Sequence, residues 1–440
     1  MVILRPQVAL LSTALSIATL TIASPTPKTW AAPNSDSSKA IIDEVWQIIK
    51  NDYLDTSFNG TDWPAIRSQY LNRTYTSKEE VYDAVREMLD QLEDPYTRFL
   101  DPQQLKNMQI STSGELTGVG VQITQDEKTK DITVIAPIEG SPAAQAGLLN
   151  QDVIIQVDDT STEGMDINEA VQLIRGPVNS IVTLTVLRGQ EQLSFKIKRA
   201  RIEIHPVRFS SQTSPSGPVG YIRLNQFSNK ATSEMREAIQ DLEKQKVTGF
   251  VLDLRLNPGG LLYSSTEIAR MWMGEGTIVA TVDREGGEDK LTSDKNTLTD
   301  KPLIILVDGG SASASEILAG ALQDHQRAVL LGTQTFGKGL VQSVQPLEDN
   351  SGLSITVAKY VTPKGRDIHK KGIEPDIEVK LTDKQRSDLF QNPNKLGTTS
   401  DPQYMKAVAE LNKQVEKHRW DNVTVATQYL CSYLTSLIVN

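Results

Sequence analysis

A chain of 440 residues is longer than one ordinary domain, and its 38% hydrophobic, 5% aromatic and 23% charged residues are typical of globular domains rather than disordered or membrane-spanning chains. The formal net charge of -10 argues against a nucleic-acid partner, because phosphate binding requires clustered Lys and Arg. The four scattered histidines and the single cysteine have no metal-ligand spacing, so we predict neither a metal nor a cofactor.

The N-terminus has the plan of a secretory signal peptide. Arg5 precedes an apolar run from Val8 to Ala23, and small residues suited to cleavage follow, with Ala23 and Ala31 as the two candidate sites. The run is short for a membrane span, although an uncleaved anchor is the alternative. We therefore expect a signal peptide over 1–31 and an exported protein.

Residues 32–110 are predicted to form a helical region. A second helical segment within it begins with a capping box, in which Ser77 is the N-cap residue and Glu80 is its reciprocal partner. The region ends at the proline-containing stretch EDPYTRFLDP, and we interpret it as a cap without chemistry of its own. Its first helix is predicted from five apolar residues that share one face: Ile41, Ile42, Val45, Ile48 and Ile49.

Residues 111–200 change to short strands with glycine turns, which include the stretches GVGV and GSPAAQAGLLNQDVII. These residues resemble a PDZ domain. Backbone N–H groups around two closely spaced glycines can form a nest for a terminal carboxylate, and the following strand offers an edge to an extended peptide. The resemblance implies that Arg175, after the helix beside the groove, transmits peptide occupancy; the alternative is a solvated helix end. The predicted carboxylate-binding loop comprises Gly118, Val119, Gly120 and Val121.

Residues 201–381 alternate between strands and helices, which predicts an α/β core. The predicted strands include VGYIRLNQF, GFVLDL, PLIILVD and AVLLGT, and the intervening helices include KATSEMREAIQDLEKQ and SEILAGALQDH. VQSVQPL and LSITVAKYV follow, and the turn EDNSG joins them into a hairpin.

The stretch DGGSASASE places three serines between a buried strand and a helix N-terminus. Free backbone N–H groups at this point favour negative charge, which suits a tetrahedral oxyanion. From these residues alone, Ser313 is better explained as a helix cap, because Ser313 and Glu316 have capping-box spacing. His325 lies about three turns further along the same helix and is therefore an unlikely base.

Lys338 is an alternative base. It lies between two glycines and beside apolar residues in TFGKGLV, where burial of the amine would lower its pKa, and a neutral amine can accept a serine proton. A surface turn is the alternative interpretation of a lysine between glycines.

The combination of DLRLNPGGLL, GSASASEILAG, TFGKGLVQSV and KGIEPDIEV resembles the C-terminal processing, or tail-specific, serine peptidases. The likeness extends from EDPYTRFL to about Val379. It implies a crotonase/Clp-like peptidase core with an inserted PDZ domain. The site residues that it implies are Ser313 as nucleophile, Lys338 as general base, Gln342 as support, and the N–H groups of Gly259 and Ala314 as the oxyanion hole.

The spacing of Lys338 and Gln342 carries a structural prediction. Residues four apart meet on a helical turn but lie about 13 Å apart in an extended strand. A bent or helical segment is therefore expected before the hairpin begins.

The predicted function is a serine endopeptidase that binds the free C-terminal tail of protein substrates, including membrane-bound ones, and cleaves near that end by a Ser-Lys mechanism. Members of the family act in the bacterial envelope or, in photosynthetic organisms, mature a photosystem II reaction-centre precursor, so we expect the periplasm or the thylakoid lumen. The alternatives are a non-catalytic PDZ scaffold and a crotonase-like acyl-CoA enzyme. Residues 382–440 are predicted to form a helical C-terminal extension.

Overall fold

The computed structural model describes residues 2–3 and 35–417, apart from 127, 128 and 139. Nearly all of the predicted signal peptide and the last part of the predicted C-terminal extension, after residue 417, lie outside the described residues. The described residues form two compact units: one consists of Met108–Pro206, and the other consists of the described residues before and after that segment.

The N-terminal region is helical, as predicted, and packs through one apolar face. The Ser77 hydroxyl accepts a hydrogen bond from Glu80 N–H at 3.2 Å, which confirms the predicted cap of the third helix. Ile42, Val45 and Ile49 are fully buried and pack against apolar side chains of the second and third helices. The elements are β1 (Val2–Ile3), α1 (Ser35–Asp52), α2 (Trp63–Leu71), α3 (Lys78–Asp90), β2 (Arg98–Leu100) and α4 (Pro102–Ser113), with a short 3₁₀ turn at Phe58–Gly60.

The unit Met108–Pro206 is built on an antiparallel sheet with strand order β4-β5-β6-β8-β9. A separate pair joins β3 to β10, and β7 pairs with β6. Its core is a cluster of buried aliphatic side chains that includes Ile132, Val134 and Leu184. The elements are β3 (Glu115–Gly118), β4 (Val121–Gln125), β5 (Ile132–Pro137), α5 (Pro142–Ala146), β6 (Val153–Val157), β7 (Thr160–Ser161), α6 (Ile167–Ile174), β8 (Ile181–Arg188), β9 (Glu191–Lys198) and β10 (Ala200–Glu203).

The core of the larger unit is a six-stranded sheet in which β11 is antiparallel to β12 and the other neighbours are parallel. The strand order is β11-β12-β13-β16-β17-β20. Its elements are β11 (Val207–Ser214), β12 (Gly217–Leu224), α7 (Ala231–Lys244), β13 (Gly249–Asp253), α8 (Leu262–Trp272), β14 (Thr277–Val282), β15 (Glu288–Thr292), β16 (Leu303–Val307), α9 (Ala314–Asp324), β17 (Val329–Gly332), β18 (Leu340–Pro346), β19 (Gly352–Val361), β20 (Ile377–Glu378) and α10 (Asp383–Gln391). A further helix covers 402–417 and is labelled α11.

Both faces of this sheet are covered. Buried side chains of α7, α8 and α9 pack on one face, and Tyr404, Ala407 and Leu411 of α11 pack on the other. The second sheet of the unit has the order β1-β18-β19-β14-β15, with β2 also paired to β19. The predicted hairpin is therefore β18 and β19, and Leu353 and Ile355 of β19 pack against the N-terminal helices.

The observed elements match the predicted fold class: an N-terminal helical region, a β-rich middle segment and a mixed α/β core. In the core, parallel strands alternate with helices, so that the carboxyl ends of β13 and β16 lie at the same edge of the sheet. Across the part of the chain that the structure describes, no helix is both long and apolar enough to span a bilayer.

Candidate active site

Ser313 lies on the turn that joins β16 to α9, immediately before the first helical residue. Its backbone has φ 56° and ψ -113°, a conformation that residues with a side chain rarely adopt. Such strain costs on the order of 1–3 kcal/mol and persists only where the surroundings enforce it. The turn therefore fixes the direction of the Ser313 side chain at some cost in stability.

The Ser313 side chain is fully buried, yet its hydroxyl oxygen has no hydrogen-bond partner among the described residues. The predicted cap is therefore realised differently. The Glu316 carboxylate accepts from the backbone N–H of Ser313 at 2.9 Å, but the Glu316 N–H donates to the backbone carbonyl of Ser313 rather than to its hydroxyl. Since a buried hydroxyl without a partner is unfavourable in a purely structural role, this atom is a candidate for chemistry.

Lys338 lies on the loop that leads into β18, and its side chain is partly buried. Burial lowers the pKa of Lys338 below the ordinary value of a lysine, as predicted, because the charged ammonium form loses hydration. The flanking residues Gly337 and Gly339 approach the backbone of Lys371 and His369 so closely that a Cβ at either glycine would lie 2.9 Å from a backbone nitrogen. Close packing thus fixes the backbone on both sides of the lysine.

Glu316 brings Ser313 and Lys338 together. One oxygen of its fully buried carboxylate, Oε2, accepts from the backbone N–H of Ser313 and from that of Lys338, each at 2.9 Å. The two backbone nitrogens are therefore separated by no more than twice that distance. The other oxygen, Oε1, accepts from the Thr335 hydroxyl at 2.5 Å and from Gly337 N–H at 2.8 Å. One carboxylate thus ties the serine turn to the lysine loop.

Tyr360 makes a second link between the same two residues. Its hydroxyl lies 3.0 Å from the backbone carbonyl of Ser313 and 2.7 Å from that of Lys338. Burial raises the pKa of Tyr360 well above its ordinary value, so the phenol stays protonated and donates. The serine and lysine backbones are consequently bridged by one acceptor and one donor.

Gly259 lies directly against the serine turn. A Cβ placed on Gly259, whose φ is 101°, would lie 3.0 Å from the Ser313 Cβ and 2.9 Å from the Ala314 nitrogen. In the structure the Gly259 N–H donates to the side-chain oxygen of Asn257 at 2.9 Å, so this expected oxyanion donor already has an acceptor. Ala314 is the first residue of α9, and its N–H has no acceptor within the helix.

Asn257 fastens the glycine loop to the serine turn. Its backbone carbonyl accepts from Ala312 N–H at 3.0 Å and from the Ser315 hydroxyl at 2.9 Å. Its side-chain nitrogen donates to the Leu224 carbonyl at 2.8 Å. The predicted oxyanion residues are thus held at one place by a buried amide that the sequence analysis did not single out.

Gln342 is not on a helical turn, which was one of the two forms expected from the spacing. It lies within β18, opposite Thr356 of β19, and its side-chain nitrogen donates to the Thr356 hydroxyl at 3.5 Å. The pairing shifts register between Val341 and Gln342, which indicates a β-bulge. A bulge bends the strand locally, so the bent form is the one observed, within the hairpin rather than before it.

The predicted peptide-binding loop of the other unit connects β3 to β4. Its carbonyl groups are anchored: the Val119 carbonyl accepts from Ala143 N–H, and the Gly120 carbonyl accepts from Ile138 N–H and from the Ser141 hydroxyl, all at 2.8 Å. Gly120 has φ 77°, and a Cβ there would overlap Ser141 at 2.3 Å, so only glycine fits.

The strand that follows this loop, β4, is the first in the strand order, and among the described strands it pairs with β5 alone. Val121 begins it. Arg175 ends α6, and its Cγ lies 3.9 Å from the position that a Cβ on Gly118 would occupy. Burial lowers the pKa of Arg175. The predicted loop, groove helix and arginine are therefore neighbours within this unit.

Two residues near Lys338 were not predicted from the sequence. The Nζ of Lys338 lies 4.7 Å from the centroid of the Tyr96 ring, although Tyr96 belongs to the region interpreted as having no chemistry. The His369 ring lies 6.3 Å from the Tyr96 ring, and its buried Nδ1 has no partner among the described residues. His325 interacts elsewhere, because its Nε2 lies 2.8 Å from the Thr277 carbonyl oxygen.

A buried ionic cluster follows β13, close in sequence to the glycine loop. The Arg255 guanidinium, 4% exposed, donates to Asp253 at 2.6 and 2.9 Å, to Asp401 at 2.6 and 3.1 Å and to Gln403 at 2.9 Å. Tyr221 donates to Asp253 at 2.7 Å. Within the described part of the chain, no group of His, Cys, Asp and Glu side chains is arranged to hold a metal ion.

Comparison with known protein families gives three matches. The model of peptidase family S41 matches residues 218–379, which contain all five expected catalytic and oxyanion residues. A PDZ domain model matches residues 133–188, beginning after the predicted carboxylate loop. A model of the tricorn protease C1 domain matches residues 38–90, in the N-terminal helices.

Individual proteins give the same result over most of the chain. A carboxyl-terminal-processing protease of Synechocystis is 46% identical over 339 residues, which cover 76% of this chain and 79% of that protein. The chloroplastic carboxyl-terminal-processing peptidase 2 of Arabidopsis thaliana is 41% identical over 345 residues, covering 76% and 67%. The solved photosystem II D1 C-terminal processing protease is similar with a TM-score of 0.56 and 37% identity, over 84% of this chain and 99% of that one.

Proposed function

The chain belongs to the carboxyl-terminal-processing proteases of peptidase family S41, and from this premise we propose that it is a serine endopeptidase that uses Ser313 as nucleophile and Lys338 as general base. The observation that supports this mechanism best is the Glu316 bridge. It holds the backbones of Ser313 and Lys338 together, while the Ser313 hydroxyl is buried and has no other described partner.

In the proposed reaction, Ser313 Oγ attacks the carbonyl carbon of a substrate peptide bond as neutral Lys338 Nζ takes its proton. The carbonyl oxygen becomes an oxyanion that accepts from the N–H groups of Ala314 and Gly259. Gly259 N–H exchanges its present acceptor, the Asn257 side chain, for this oxygen. Lys338 then protonates the leaving amine, and water hydrolyses the acyl-enzyme by the same proton route. Gln342, through Thr356, supports the strand that follows the lysine loop.

We assign substrate selection to the PDZ unit. The tail of a protein substrate would add as a strand to β4, and its carboxylate would bind at the loop Gly118–Val121. In this proposal Arg175, which packs beside Gly118, senses an occupied loop. Proteins with free C-terminal tails, including membrane-bound ones, are therefore the proposed substrates.

The physiological reaction that we favour is maturation of a photosystem II reaction-centre precursor, in the thylakoid lumen or the periplasm. It rests on similarity to a protease whose name specifies the D1 protein of photosystem II. Quality control of tailed proteins in the bacterial envelope is the second candidate, because relatives in the same family include bacterial processing proteases. Mass spectrometry of the new C-termini formed from each class of purified substrate would distinguish the two.

The dyad is tested by Ser313→Ala and Lys338→Ala. Each variant should lose at least about 10³-fold in kcat for a tailed peptide and keep the far-UV circular dichroism of the wild type, because each removes a group that acts only in the reaction. Lys364→Ala is the matched control, since Lys364 is an exposed lysine next to a glycine in the same unit, and it should leave cleavage unchanged. Retained turnover in either dyad variant would refute the mechanism.

Substrate selection is tested in the same assay with one peptide in two forms. The form with a C-terminal amide should show a higher KM than the free acid, because the loop at Gly118–Val121 loses its carboxylate. Equal rate constants for the two forms would contradict selection through the PDZ unit.

A further inference from the structure

The turn Asp94–Thr97, between α3 and β2, lies against the catalytic lysine. The Lys338 Nζ is 4.7 Å from the centroid of the Tyr96 ring, which is within cation–π range. Tyr96 itself is only partly exposed. An aromatic ring at this distance occupies space in which water would otherwise hydrate the amine.

Hydrogen bonds hold this turn in place. The Asp94 carboxylate accepts from Tyr96 N–H at 3.0 Å and from the hydroxyls of Thr97 and Thr356, each at 2.7 Å. Thr97 is 4% exposed, and its hydroxyl accepts from Thr356 N–H at 3.1 Å. Arg98, the next residue, pairs with Ser354 of β19. The ring is therefore presented to Lys338 by a turn that is bonded to the same hairpin that follows the lysine.

Several charged groups surround the lysine. From the turn, the charge of Arg98 lowers the pKa of Lys338 and the charge of Asp94 raises it. The Glu316 carboxylate, on α9, accepts from the backbone N–H of Lys338. His369 approaches from the loop after β19, next to Tyr96 and to Gly339. Burial is nevertheless the largest effect on the pKa of Lys338, and it lowers that pKa. Whatever excludes water from Nζ therefore contributes most to keeping the amine neutral.

We propose that Tyr96 is a positioning residue for Lys338: the face of its ring keeps water away from Nζ and holds the amine in one orientation. This proposal rests on the proposed Ser-Lys mechanism. When Nζ takes the proton of Ser313 Oγ–H, the ring also faces the ammonium that forms, which partly offsets the missing hydration. The N-terminal helical region thus contributes a side chain to the site, contrary to the interpretation of that region as a cap without chemistry.

The test is the pH profile of kcat/KM for Tyr96→Ala, Tyr96→Leu and Tyr96→Phe, measured with a fluorogenic peptide that ends in a free carboxylate. The acid limb of this profile reports the pKa of the base in the free enzyme. In Tyr96→Ala, water enters and hydrates the amine, so the pKa of Lys338 should rise and the acid limb should move to higher pH. At pH values below the limb, each unit of this pKa rise lowers kcat/KM about tenfold. Tyr96→Phe keeps the ring face and should retain both the limb and the rate.

Tyr96→Leu provides a second measurement if the alanine variant does not fold, because leucine fills most of the space. It keeps water out but has no ring to face the ammonium, so the limb should move to lower pH and kcat should fall. A limb at the wild-type pH in the alanine and leucine variants would overturn the proposal, even if both variants were slower or less stable.

Ser313→Ala and Lys338→Ala separate the two hypotheses. If either retains activity, the Ser-Lys mechanism itself is wrong. If both are inactive and the acid limb is insensitive to Tyr96, only the role of Tyr96 is refuted.

Discussion

Two buried polar clusters lie at the carboxyl ends of neighbouring parallel strands, and they differ in how completely their groups are paired. After β13, the Arg255 guanidinium donates hydrogen bonds to two carboxylates and an amide oxygen, so the charged groups of this cluster are paired. After β16, Ser313 is equally buried, but its hydroxyl has no described partner. Burial alone therefore does not distinguish a structural cluster from a reactive one, whereas pairing does.

The difference follows from what each cluster is used for. Buried charges are tolerated when they are paired and hydrogen-bonded, because each then regains part of the lost hydration. A hydroxyl that must attack a substrate has to be free of structural partners so that a base can take its proton, and a lysine that must accept a proton gains from poor hydration. The structure combines both next to each other: Glu316 pairs with three backbone N–H groups and the Thr335 hydroxyl, and this pairing holds the unpaired Ser313 hydroxyl in place.

The largest effect is expected from removing the guanidinium of the paired cluster. Arg255→Met should lower the free energy of unfolding by about 3–5 kcal/mol, because Asp401 is left buried without its cation and Asp253 keeps only Arg223, at 3.2 Å. Urea denaturation followed by circular dichroism measures this loss. Arg386→Met is the matched control, since Arg386 and its partner Asp383 are exposed, and it should cost less than about 1 kcal/mol.

A loss below about 1 kcal/mol in Arg255→Met as well would show that the cluster is not a stability element. In that case full pairing would no longer distinguish it from the Ser313 site.

A smaller effect on stability, with a larger effect on catalysis, is expected from Glu316→Gln. The amide keeps one oxygen acceptor but places an N–H₂ group against two of the four present donors, which should cost about 2–3 kcal/mol. Because the same bonds set the spacing of Ser313 and Lys338, kcat should fall about 10²-fold while KM changes little. Steady-state kinetics with a tailed peptide measure both constants.

Glu378→Gln is the control for this change, because Glu378 lies on a short edge strand with its carboxylate exposed. It should leave kcat and stability at the wild-type values. An unchanged kcat in Glu316→Gln would show that the bridge does not position the dyad.

The sequence was sufficient where the signal is local or where the family resemblance supplies it. Strand and helix patterns predicted the α/β core, the hairpin and the cap at Ser77, and the motifs around Ser313 and Lys338 identified a family of proteases. The details at the site were less accessible. Capping-box spacing at Ser313 and Glu316 is the same whether the serine hydroxyl caps or not, and the strained turn decides that it does not.

Contacts between distant loops were missed altogether. Arg255 and Asp401 are separated by 146 residues, and Tyr96 meets Lys338 from another region of the fold, so neither pair leaves a periodic pattern in the sequence. The spacing of Lys338 and Gln342 predicted a bent or helical segment but could not decide between the two, because a β-bulge that bends a strand depends on the partner strand as much as on its own residues. Packing, rather than local propensity, determines these features.

The smallest of the expected effects is the pH dependence of stability that Asp253 contributes. Burial by itself would raise the pKa of Asp253, but the charges and hydrogen bonds of Arg255 and Arg223 outweigh it and lower the pKa to about 2. The carboxyl therefore binds a proton more readily in the unfolded chain, where its pKa is the ordinary one. The contribution of Asp253 to the free energy of unfolding is complete above about pH 5, and about 2 kcal/mol of it is lost as the pH falls towards about 2.

Since other carboxyl groups titrate in this range, the measurement is the difference in unfolding free energy between the wild type and Asp253→Asn. That difference should shrink by this amount between neutral and acid pH. A difference that stays constant would mean that Asp253 is no more acidic in the folded protein than in the unfolded chain, and that its cluster is held together by packing rather than by charge.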